Sequence, residues 1–398
     1  MRRSTKGILA THVGRLQRPD DLTEMLVKRQ AGETIDEQVF GPRLKKAIAD
    51  VVKQQAEAGL SVINDGEFGR ISWLVYAFGR LSGFQLKPIR SEQNRTVLQG
   101  KDRRDFSDYY AYISAEGGRT YYRSPGASGA AGGVSGHAWE CTGPIKYTGQ
   151  LALRAEIEGL KAALSSAQVD EGFMTSTSPS DLLLAATNSY YPSEDAYLYA
   201  LADALREEYR TITDSGLILQ IDDPLLPAQW DLMLESNGTW EEYLEFAEQR
   251  IDVLNHALAG IPEDKVRYHI CWGSHHGPHS TDIPMRKIID LIFNVRAAGI
   301  SFEAGNVRHE HEWQIWNDVR LPEGKILIPG VVSHSTNTIE HPELVALRIK
   351  QFAKLVGHEN VIAGTDCGMG YRVHPQIAWA KLSALGEGAR IATKELRL

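Results

Sequence analysis

Short runs of β-branched and aliphatic residues alternate along the chain with longer stretches that carry apolar residues at helical spacing. In residues 44–58, for example, Leu44, Ile48 and Val51 fall on one face of a helix. Alternation of strands with helices is typical of parallel βα units. The predicted helices are Leu44–Ala58, Leu151–Ser165, Glu194–Ser215, Trp240–Ala259, Ile283–Ala298 and Glu343–Leu355. The predicted strands are Ile8–Val13, Ser61–Ile63, Ala138–Thr142, Gly172–Thr175, Leu217–Ile221, Arg267–Cys271, Ile300–Glu303, Ile326–Val331 and Val361–Ala363.

Polar or charged residues end nearly every predicted strand. These residues are His12, Asp65, Glu67, Asp222, Asp223, His269, Cys271, Glu303, His334, Asp366 and Cys367. The carboxyl ends of all strands in a (β/α)8 barrel converge on one face, where active sites lie. An open doubly wound sheet brings together only the few strand ends at its switch point. We therefore predict one TIM barrel with elaborated loops over residues 1–398, and we expect the strand near Cys141 to lie outside it.

Four of these residues carry the donor atoms of a metal site. His269 and Cys271 are two positions apart, so both side chains point to the same side of a strand. Glu303 ends the next strand, where burial of its charge is costly unless a cation lies nearby. Cys367 follows a strand in the glycine-rich segment AGTDCGMGYR. One nitrogen, two sulfurs and one oxygen suit tetrahedral Zn2+.

The charge of this ligand set indicates which chemistry it favours. Two thiolates and one carboxylate bring more negative charge than the zinc ion neutralises. Such a site is poor at making hydroxide from water, but it suits an incoming thiol whose pKa the metal lowers. Zinc hydrolases instead use mostly neutral histidines and an open water position. The residues therefore favour alkylation of a thiol over hydrolysis.

Composition and charge restrict the partners. The 398 residues are 42% hydrophobic and 24% charged, which is typical of a globular enzyme. A net charge of −8 argues against a nucleic-acid partner, and no run reaches the roughly 18 apolar residues of a membrane span. Because only three cysteines occur and no signal-peptide pattern opens the chain, we expect a cytoplasmic protein. Homo-oligomerisation is left open.

Several segments resemble the catalytic half of cobalamin-independent methionine synthase and its shorter relatives. They are THVGRLQRP, NDGEFGR, LQIDDP, RYHICWG, ISFEAGN, IPGVVSH and GTDCGMGYR. That family binds zinc on a barrel through an H-x-C pair, a glutamate and a distant cysteine. The resemblance therefore implies the same zinc ligands, His269, Cys271, Glu303 and Cys367.

The resemblance also implies roles for the residues around these ligands. It places Glu67 and Asp222 against the amino group of a homocysteine acceptor and makes His334 the acid that protonates the leaving group. His12 and Arg15 fall in the matching substrate site. Where the family contacts the acceptor's carboxylate with Ile-Gly-Ser, this chain has Val-Gly-Arg ending at Arg15. A guanidinium can bind a carboxylate or a sulfonate with two hydrogen bonds.

The identity of the alkyl donor stays open. The segment MTSTSPSDLLLAATNSYY stands where the synthase has a tryptophan that stacks on folate, and Tyr190 or Tyr191 is the aromatic candidate to replace it. The expected partners are a small-molecule thiol and an alkyl donor, with methyl transfer to homocysteine or a similar thiol as the first hypothesis. The alternatives are addition of a thiol to an epoxide, as in the related epoxyalkane:coenzyme M transferases, and a metal-free lyase on the uroporphyrinogen decarboxylase barrel. A zinc hydrolase and a non-catalytic binding protein are less consistent with the cysteines and the buried strand-end charges.

Three further features have two interpretations each. His275, His276 and His279 either line the substrate pocket or are ordinary loop residues. Cys141 is expected to be structural. The glycine-rich segment Gly126–His137 is predicted to be a loop or lid, because it lacks the strand and helix that flank a dinucleotide-binding fingerprint.

Overall fold

Eight parallel strands form a nearly closed barrel in the computed structural model, which describes residues 1–88, 100–115, 137–167 and 169–398. The strands of the chain are β1 Leu9–Ala10, β2 Val62–Ile63, β3 Phe84–Pro88, β4 His137–Cys141, β5 Glu171–Thr177, β6 Ala186–Asn188, β7 Ile218–Asp223, β8 Val266–Ile270, β9 Gly299–Phe302, β10 Ile326–Val332 and β11 Ile362–Thr365. The barrel order is β1-β11-β10-β9-β8-β7-β5-β2. A parallel bridge between Thr11 and Val62 joins its two ends. The predicted barrel fold is confirmed.

The strand near Cys141 lies outside the barrel, as expected. β4 pairs antiparallel with β3 and parallel with β6 in a separate three-stranded sheet. Cys141 itself is fully buried, and its thiol donates to the carbonyl oxygen of Gly143 at 3.5 Å. The predicted glycine-rich loop at 126–137 lies outside the described residues except for His137, the first residue of β4.

Helices follow most barrel strands and cover the outside of the barrel. They are α1 Asp20–Gln30, α2 Glu37–Glu57, α3 Trp73–Phe78, α4 Lys101–Asp105, α5 Ser107–Ala115, α6 Gln150–Leu164, α7 Pro179–Ala185, α8 Glu194–Asp214, α9 Leu225–Glu235, α10 Trp240–Ala257, α11 Met285–Phe293, α12 Pro342–Val356 and α13 Pro375–Leu396. The helix predicted at residues 283–298 is wrong in its bounds. It begins after Pro284 and ends at Phe293, because the chain turns there into β9.

The barrel interior holds a buried arginine below the polar strand ends. Arg267 is 1% exposed, and its guanidinium donates to the Gln220 side chain at 2.6 Å and to the carbonyl oxygen of His12 at 2.6 Å. The same group lies 3.6 Å from the ring centre of Phe173. These contacts tie β8 to β7 and to the turn after β1, so they fix the base on which the site is built.

None of the described helices combines the length with the apolar composition needed to cross a lipid bilayer.

Close packing of α13 against the turn before β2 yields a prediction for stability. A methyl group at Gly386 would overlap the carbonyl oxygen of Ala58 and lie 2.9 Å from the Cα of Gly59, both backbone atoms. We expect Gly386→Ala to lower the free energy of unfolding by about 1–3 kcal/mol through overpacking. The matched control is Gly159→Ala in α6, where nothing lies within 4 Å and alanine should stabilise the helix by about 0.5–1 kcal/mol. Urea unfolding of both variants measures the difference, and equal stabilities would contradict this packing.

Candidate metal centre

Three of the four predicted metal ligands meet at the carboxyl end of the barrel. The ligand atoms of His269, Cys271 and Cys367 all lie within 4.8 Å of one another. The two thiol sulfurs are 3.7 Å apart, although the residues are separated by 96 positions in the sequence. His269 lies on β8 and Cys271 directly after it, whereas Cys367 follows β11. Convergence of strand ends therefore brings these distant donors together.

One ring nitrogen of His269 is hydrogen-bonded, and the other has no hydrogen-bond partner in the described residues. Its Nδ1 is hydrogen-bonded to the Ser301 hydroxyl at 3.1 Å. Its Nε2 is buried and has no hydrogen-bond partner among the described residues. A ligating histidine typically donates its other N–H to a protein oxygen, which fixes the ring's orientation. This arrangement leaves Nε2 as the atom that would bind a metal ion.

Glu303 stands beside these three donors in a second cluster. Its carboxylate lies within 4.8 Å of the ligand atoms of His334 and Asp366. It accepts hydrogen bonds from the Trp272 backbone N–H at 3.3 Å and from the Asn306 side chain at 2.7 Å. The bond from Trp272, the residue after Cys271, holds the carboxylate next to the end of β8.

The electrostatics of this cluster favour a bound cation. Burial, together with the negative charges of Asp366 and Cys367, raises the pKa of Glu303 to about 8, although His309 acts in the opposite direction. The hydrogen bond from Cys271 lowers the pKa of Cys367 well below its usual range, because it stabilises the thiolate. Several acidic groups thus share a space from which water is largely excluded, and a divalent cation would offset their desolvation.

The donor set fits zinc. Two sulfurs at about 2.3 Å from a tetrahedral zinc ion lie about 3.8 Å apart, close to the 3.7 Å between Cys271 and Cys367. The Nε2 of His269, which has no partner among the described residues, would supply the nitrogen, and the buried Glu303 carboxylate would supply the oxygen. Soft sulfur ligands with one imidazole are characteristic of zinc rather than of magnesium or calcium.

The two predicted amine-binding acids lie at the ends of two strands, β2 and β7, that flank β5 in the barrel. The Thr175 hydroxyl donates to Glu67 Oε1 at 3.0 Å, and the Gln220 amide donates to Asp222 Oδ1 at 2.6 Å. Burial raises the pKa of Asp222 to about 7, with the positive field of His269 lowering it and the carboxylate of Glu67 raising it. Asp222 therefore lies in electrostatic reach of both the second acid and the metal ligands. Glu67 has a φ of 60°, a left-handed conformation that a side chain other than glycine adopts only at a cost.

His12 and Arg15 occupy the turn after β1. The ring of His12 is buried, with Nε2 2.7 Å from the Gln55 side-chain oxygen and Nδ1 accepting from the Gly14 N–H at 3.2 Å. Burial lowers the pKa of His12 to about 3, so the ring is neutral. Both ring nitrogens are hydrogen-bonded within the protein and stabilise the turn that carries Arg15, so the predicted contact of His12 with substrate stays a prediction.

Arg15 donates to the Ile71 carbonyl oxygen at 2.9 Å, and its guanidinium lies 4.7 Å from the ring centre of Tyr371.

His334, the predicted acid, lies next to the metal ligands. It is 2% exposed, and its Nδ1 has no hydrogen-bond partner among the described residues. Burial lowers the pKa of His334 to about 3, because the charged imidazolium would be poorly solvated there. The imidazole is therefore neutral, and it would have to take up a proton before it could act as the predicted acid.

Three supporting residues had no role assigned from the sequence, although Asp366 was among the polar strand ends expected at this face. Ser301 orients His269 and precedes Glu303 by two positions, so alternation along the strand was the signal for it. Asp366 accepts from the backbone N–H groups of Ala304 and Gly305, both at 2.8 Å, and so joins the loop after Glu303 to the end of β11. Arg372, the last residue of the GTDCGMGYR segment, lies in the electrostatic field of both thiols.

The histidine-rich loop and the tyrosine pair have structural contacts of their own. His275 and His279 stack with ring centres 3.8 Å apart, and His279 is hydrogen-bonded to Asp282. Within the described ranges the loop histidines belong to no cluster of three metal-capable residues. Tyr191 accepts from the Ile145 N–H at 2.9 Å and stacks on Tyr197, whereas Tyr190 is half exposed.

Comparison with known proteins places this barrel among characterised relatives. A family model described as cobalamin-independent synthase, catalytic domain, matches residues 185–390, which is just over half of the chain. A methionine synthase of Sulfolobus acidocaldarius is 24% identical over 391 residues, covering 97% of this chain and 93% of the relative. A 2-hydroxypropyl-CoM lyase of Xanthobacter autotrophicus is 23% identical over 388 residues, covering 89% and 86%.

A solved structure of similar size shares the fold. It is a B12-independent methionine synthase from Shewanella sp. W3-18-1 in complex with selenomethionine, with a TM-score of 0.71 and 19% identity over 98% of this chain and 99% of that one. At this identity the likeness shows a common barrel.

The hydrogen bond from His269 to Ser301 yields a prediction for metal affinity. We expect Ser301→Ala to weaken zinc binding by about 10-fold or more, because the ring loses the partner that fixes its orientation. Competition against a chromophoric zinc chelator measures the affinity. Ser165→Ala, at an exposed serine that bonds only within its own helix turn, is the matched control and should leave the affinity unchanged. Equal affinities for all three proteins would show that Ser301 does not support the site.

Proposed function

Because the chain belongs to the cobalamin-independent synthase catalytic-domain family, we propose that it is a zinc-dependent transferase that alkylates a thiol. The first candidate reaction is methyl transfer to homocysteine or a similar thiol. The observation that carries the proposal is the pair of thiols 3.7 Å apart beside a histidine whose Nε2 has no partner among the described residues. His269, Cys271, Glu303 and Cys367 would hold the ion. When bound there, zinc lowers the pKa of a substrate thiol, so that the sulfur is nucleophilic at neutral pH.

Glu67 and Asp222 are proposed to orient the polar end of the thiol substrate. Neither carboxylate forms an ion pair with a cationic side chain in the described part of the chain. Two partly buried acids without a counter-cation are costly, and a substrate ammonium group would offset that cost. Asp222 lies on β7, the strand next to β8, so an ammonium group bound there would place the sulfur of such a substrate toward Cys271 and Cys367.

His334 is proposed to carry the proton. The thiol loses its proton when its sulfur becomes the nucleophile, and neutral His334 can accept that proton at Nδ1, which has no hydrogen-bond partner among the described residues. Attack of sulfur on the alkyl carbon breaks the bond from that carbon to the leaving atom. His334 then returns the proton to the leaving atom and becomes neutral again. Much of the rate enhancement would come from holding sulfur, carbon and leaving atom in line.

Addition of a thiol to an epoxide is the second candidate. The relative from Xanthobacter autotrophicus covers most of this chain, and Arg15 offers a guanidinium where an anionic thiol would need one. The zinc site and the proton carrier would serve both reactions, since each joins a thiol sulfur to an electrophilic carbon. A metal-free lyase leaves the paired thiols and the partnerless His269 nitrogen without a role, so we do not favour it.

Removal of one sulfur ligand tests the metal site. We expect Cys271→Ser to reduce bound zinc from about one per chain to a small fraction and to abolish thiol alkylation, because a neutral hydroxyl replaces a thiolate ligand. Elemental analysis and a turnover assay measure the two effects. The control is Cys141→Ser, at the buried cysteine of β4 outside the barrel, which should retain zinc even if stability falls. Full activity of a zinc-free Cys271→Ser protein would contradict the proposal.

Neutralising one acid tests the amine site. We expect Asp222→Asn to weaken homocysteine binding by about 10-fold, because a charge-assisted contact with the ammonium group is lost. The same change should leave 3-mercaptopropionate, which has no amine, within about twofold of its affinity for the wild type. Calorimetric titration gives both dissociation constants. An equal loss for both thiols would mean that Asp222 supports the fold of the site rather than the amine.

A further inference from the structure

Arg372 is a cation next to the metal ligands that lacks an anionic protein partner. It lies five positions after Cys367, and no carboxylate forms an ion pair with it in the described residues. Burial lowers the pKa of Arg372, the thiols of Cys367 and Cys271 raise it, and the positive charge of Arg15 lowers it. The guanidinium therefore lies within the electrostatic reach of both sulfurs and of a second arginine.

The backbone places Arg372 there at some cost. Tyr371, the preceding residue, has a φ of 64° in the left-handed region. Its hydroxyl accepts from Arg18 at 3.0 Å, and its N–H donates to the Gln17 side chain at 3.2 Å. Gly370 N–H also donates to the Arg15 carbonyl oxygen at 2.9 Å. The segment after Cys367 is thus fixed against the turn after β1, and the two arginines are held on one rim of the site.

Arg15 likewise forms no ion pair with a carboxylate in the described residues. The only hydrogen bond of its guanidinium in that part of the molecule is to the Ile71 carbonyl oxygen. Arg308, on the loop after Glu303, shows the contrast, because it forms ion pairs with both Asp282 and Glu303. Two partly buried guanidiniums close together repel each other and lose hydration, which is unfavourable unless an anion binds.

A loaded metal site makes this imbalance larger. Within the described residues, the thiols of Cys367 and Cys271 are the acidic groups that raise the pKa of Arg372. A divalent cation would offset the charge of these sulfurs, so they would no longer compensate the guanidinium. A bound anion that is not part of the protein would then offset the positive charge of Arg15 and Arg372.

We propose that Arg15 and Arg372 together bind the acid group of the thiol substrate, a carboxylate or a sulfonate a few bonds from the reacting sulfur. The inference rests on the proposed function, and it makes Arg372 a specificity-determining residue. Guanidinium groups bind either anion with paired hydrogen bonds. The acid-bearing thiol is therefore selected by these two arginines, while the sulfur reaches the metal ligands beside them.

Paired thiol probes test this inference on the zinc-loaded protein. Homocysteine is compared with 3-mercaptopropylamine, which lacks only the carboxylate, and coenzyme M with 2-mercaptoethanol, which lacks the sulfonate. Calorimetric dissociation constants are measured for the wild type, Arg372→Gln, Arg15→Gln and the exposed control Arg154→Gln. We expect Arg372→Gln to weaken the acid-bearing thiol of the preferred pair by about 10-fold or more, with the acid-free thiol within about twofold. Arg372→Lys should recover part of the loss, and Arg154→Gln should behave as the wild type.

The pattern of losses separates the outcomes. If both arginines bind the same anion, the variant with both Arg15→Gln and Arg372→Gln should show a smaller fold-increase in dissociation constant than the product of the two single fold-increases. The pair of thiols that responds identifies the acid as carboxylate or sulfonate. Equal weakening of acid-bearing and acid-free thiols, or no change in either, would overturn the role of Arg372 while zinc and thiol binding by the wild type still stand. A wild type that binds neither zinc nor any of these thiols would overturn the proposed function and this inference with it.

Discussion

Burial of anionic side chains at the converging strand ends is the constraint on which the site depends. Cys271, Glu303 and Cys367 come from three strand ends that parallel pairing brings together. Water is largely excluded there, and this burial, with the charges of Asp366 and Cys367, raises the pKa of Glu303 to about 8. A cation removes this cost, which is why a donor set that is unfavourable in isolation is consistent with a stable fold.

The surrounding polar residues hold these donors in place. Ser301 and Asp366 bond to the ring of His269 and to the loop after Glu303, respectively. Deeper in the barrel, the buried Arg267 ties β8 to the turn after β1. Arg308 forms an ion pair with Glu303 at 3.2 Å, whereas no cationic side chain forms an ion pair with Asp366 in the described residues. The site is therefore ordered by the barrel and left able to bind a cation and a charged substrate.

Charged groups of both signs lie at the strand ends around the metal ligands. Asp222 lies on β7 and Glu67 follows β2, whereas Arg15 follows β1 and Arg372 follows β11. None of the four forms an ion pair within the described residues. A substrate that carries both an amine and an acid would offset charges of both signs, and a sulfonate thiol would offset only the positive charges. This difference separates the two candidate reactions more clearly than the metal site does.

The sequence predicted the parts of this arrangement that follow from periodicity. The alternation of side chains along a strand predicted that His269 and Cys271 lie on the same side of β8. Nine strands were predicted where a barrel holds eight, and the strand near Cys141 is the one that lies outside the barrel. The helix Pro375–Leu396 was not predicted, because its small residues pack tightly against neighbouring backbone and weaken the apolar pattern. Arg372 and Ser301 were also missed. The role of each depends on which residues lie near it in space. Neither the spacing of residues nor the composition can show that Ser301 is hydrogen-bonded to His269 or that Arg372 forms no ion pair in the described residues.

X-ray absorption at the zinc edge tests the proposed zinc site directly. We expect the purified, zinc-loaded protein to show two sulfur scatterers at about 2.3 Å from zinc, together with nitrogen or oxygen. We also expect an added thiol substrate to contribute a third sulfur. A spectrum with only nitrogen and oxygen neighbours, unchanged by any thiol, would contradict a zinc site built from Cys271 and Cys367.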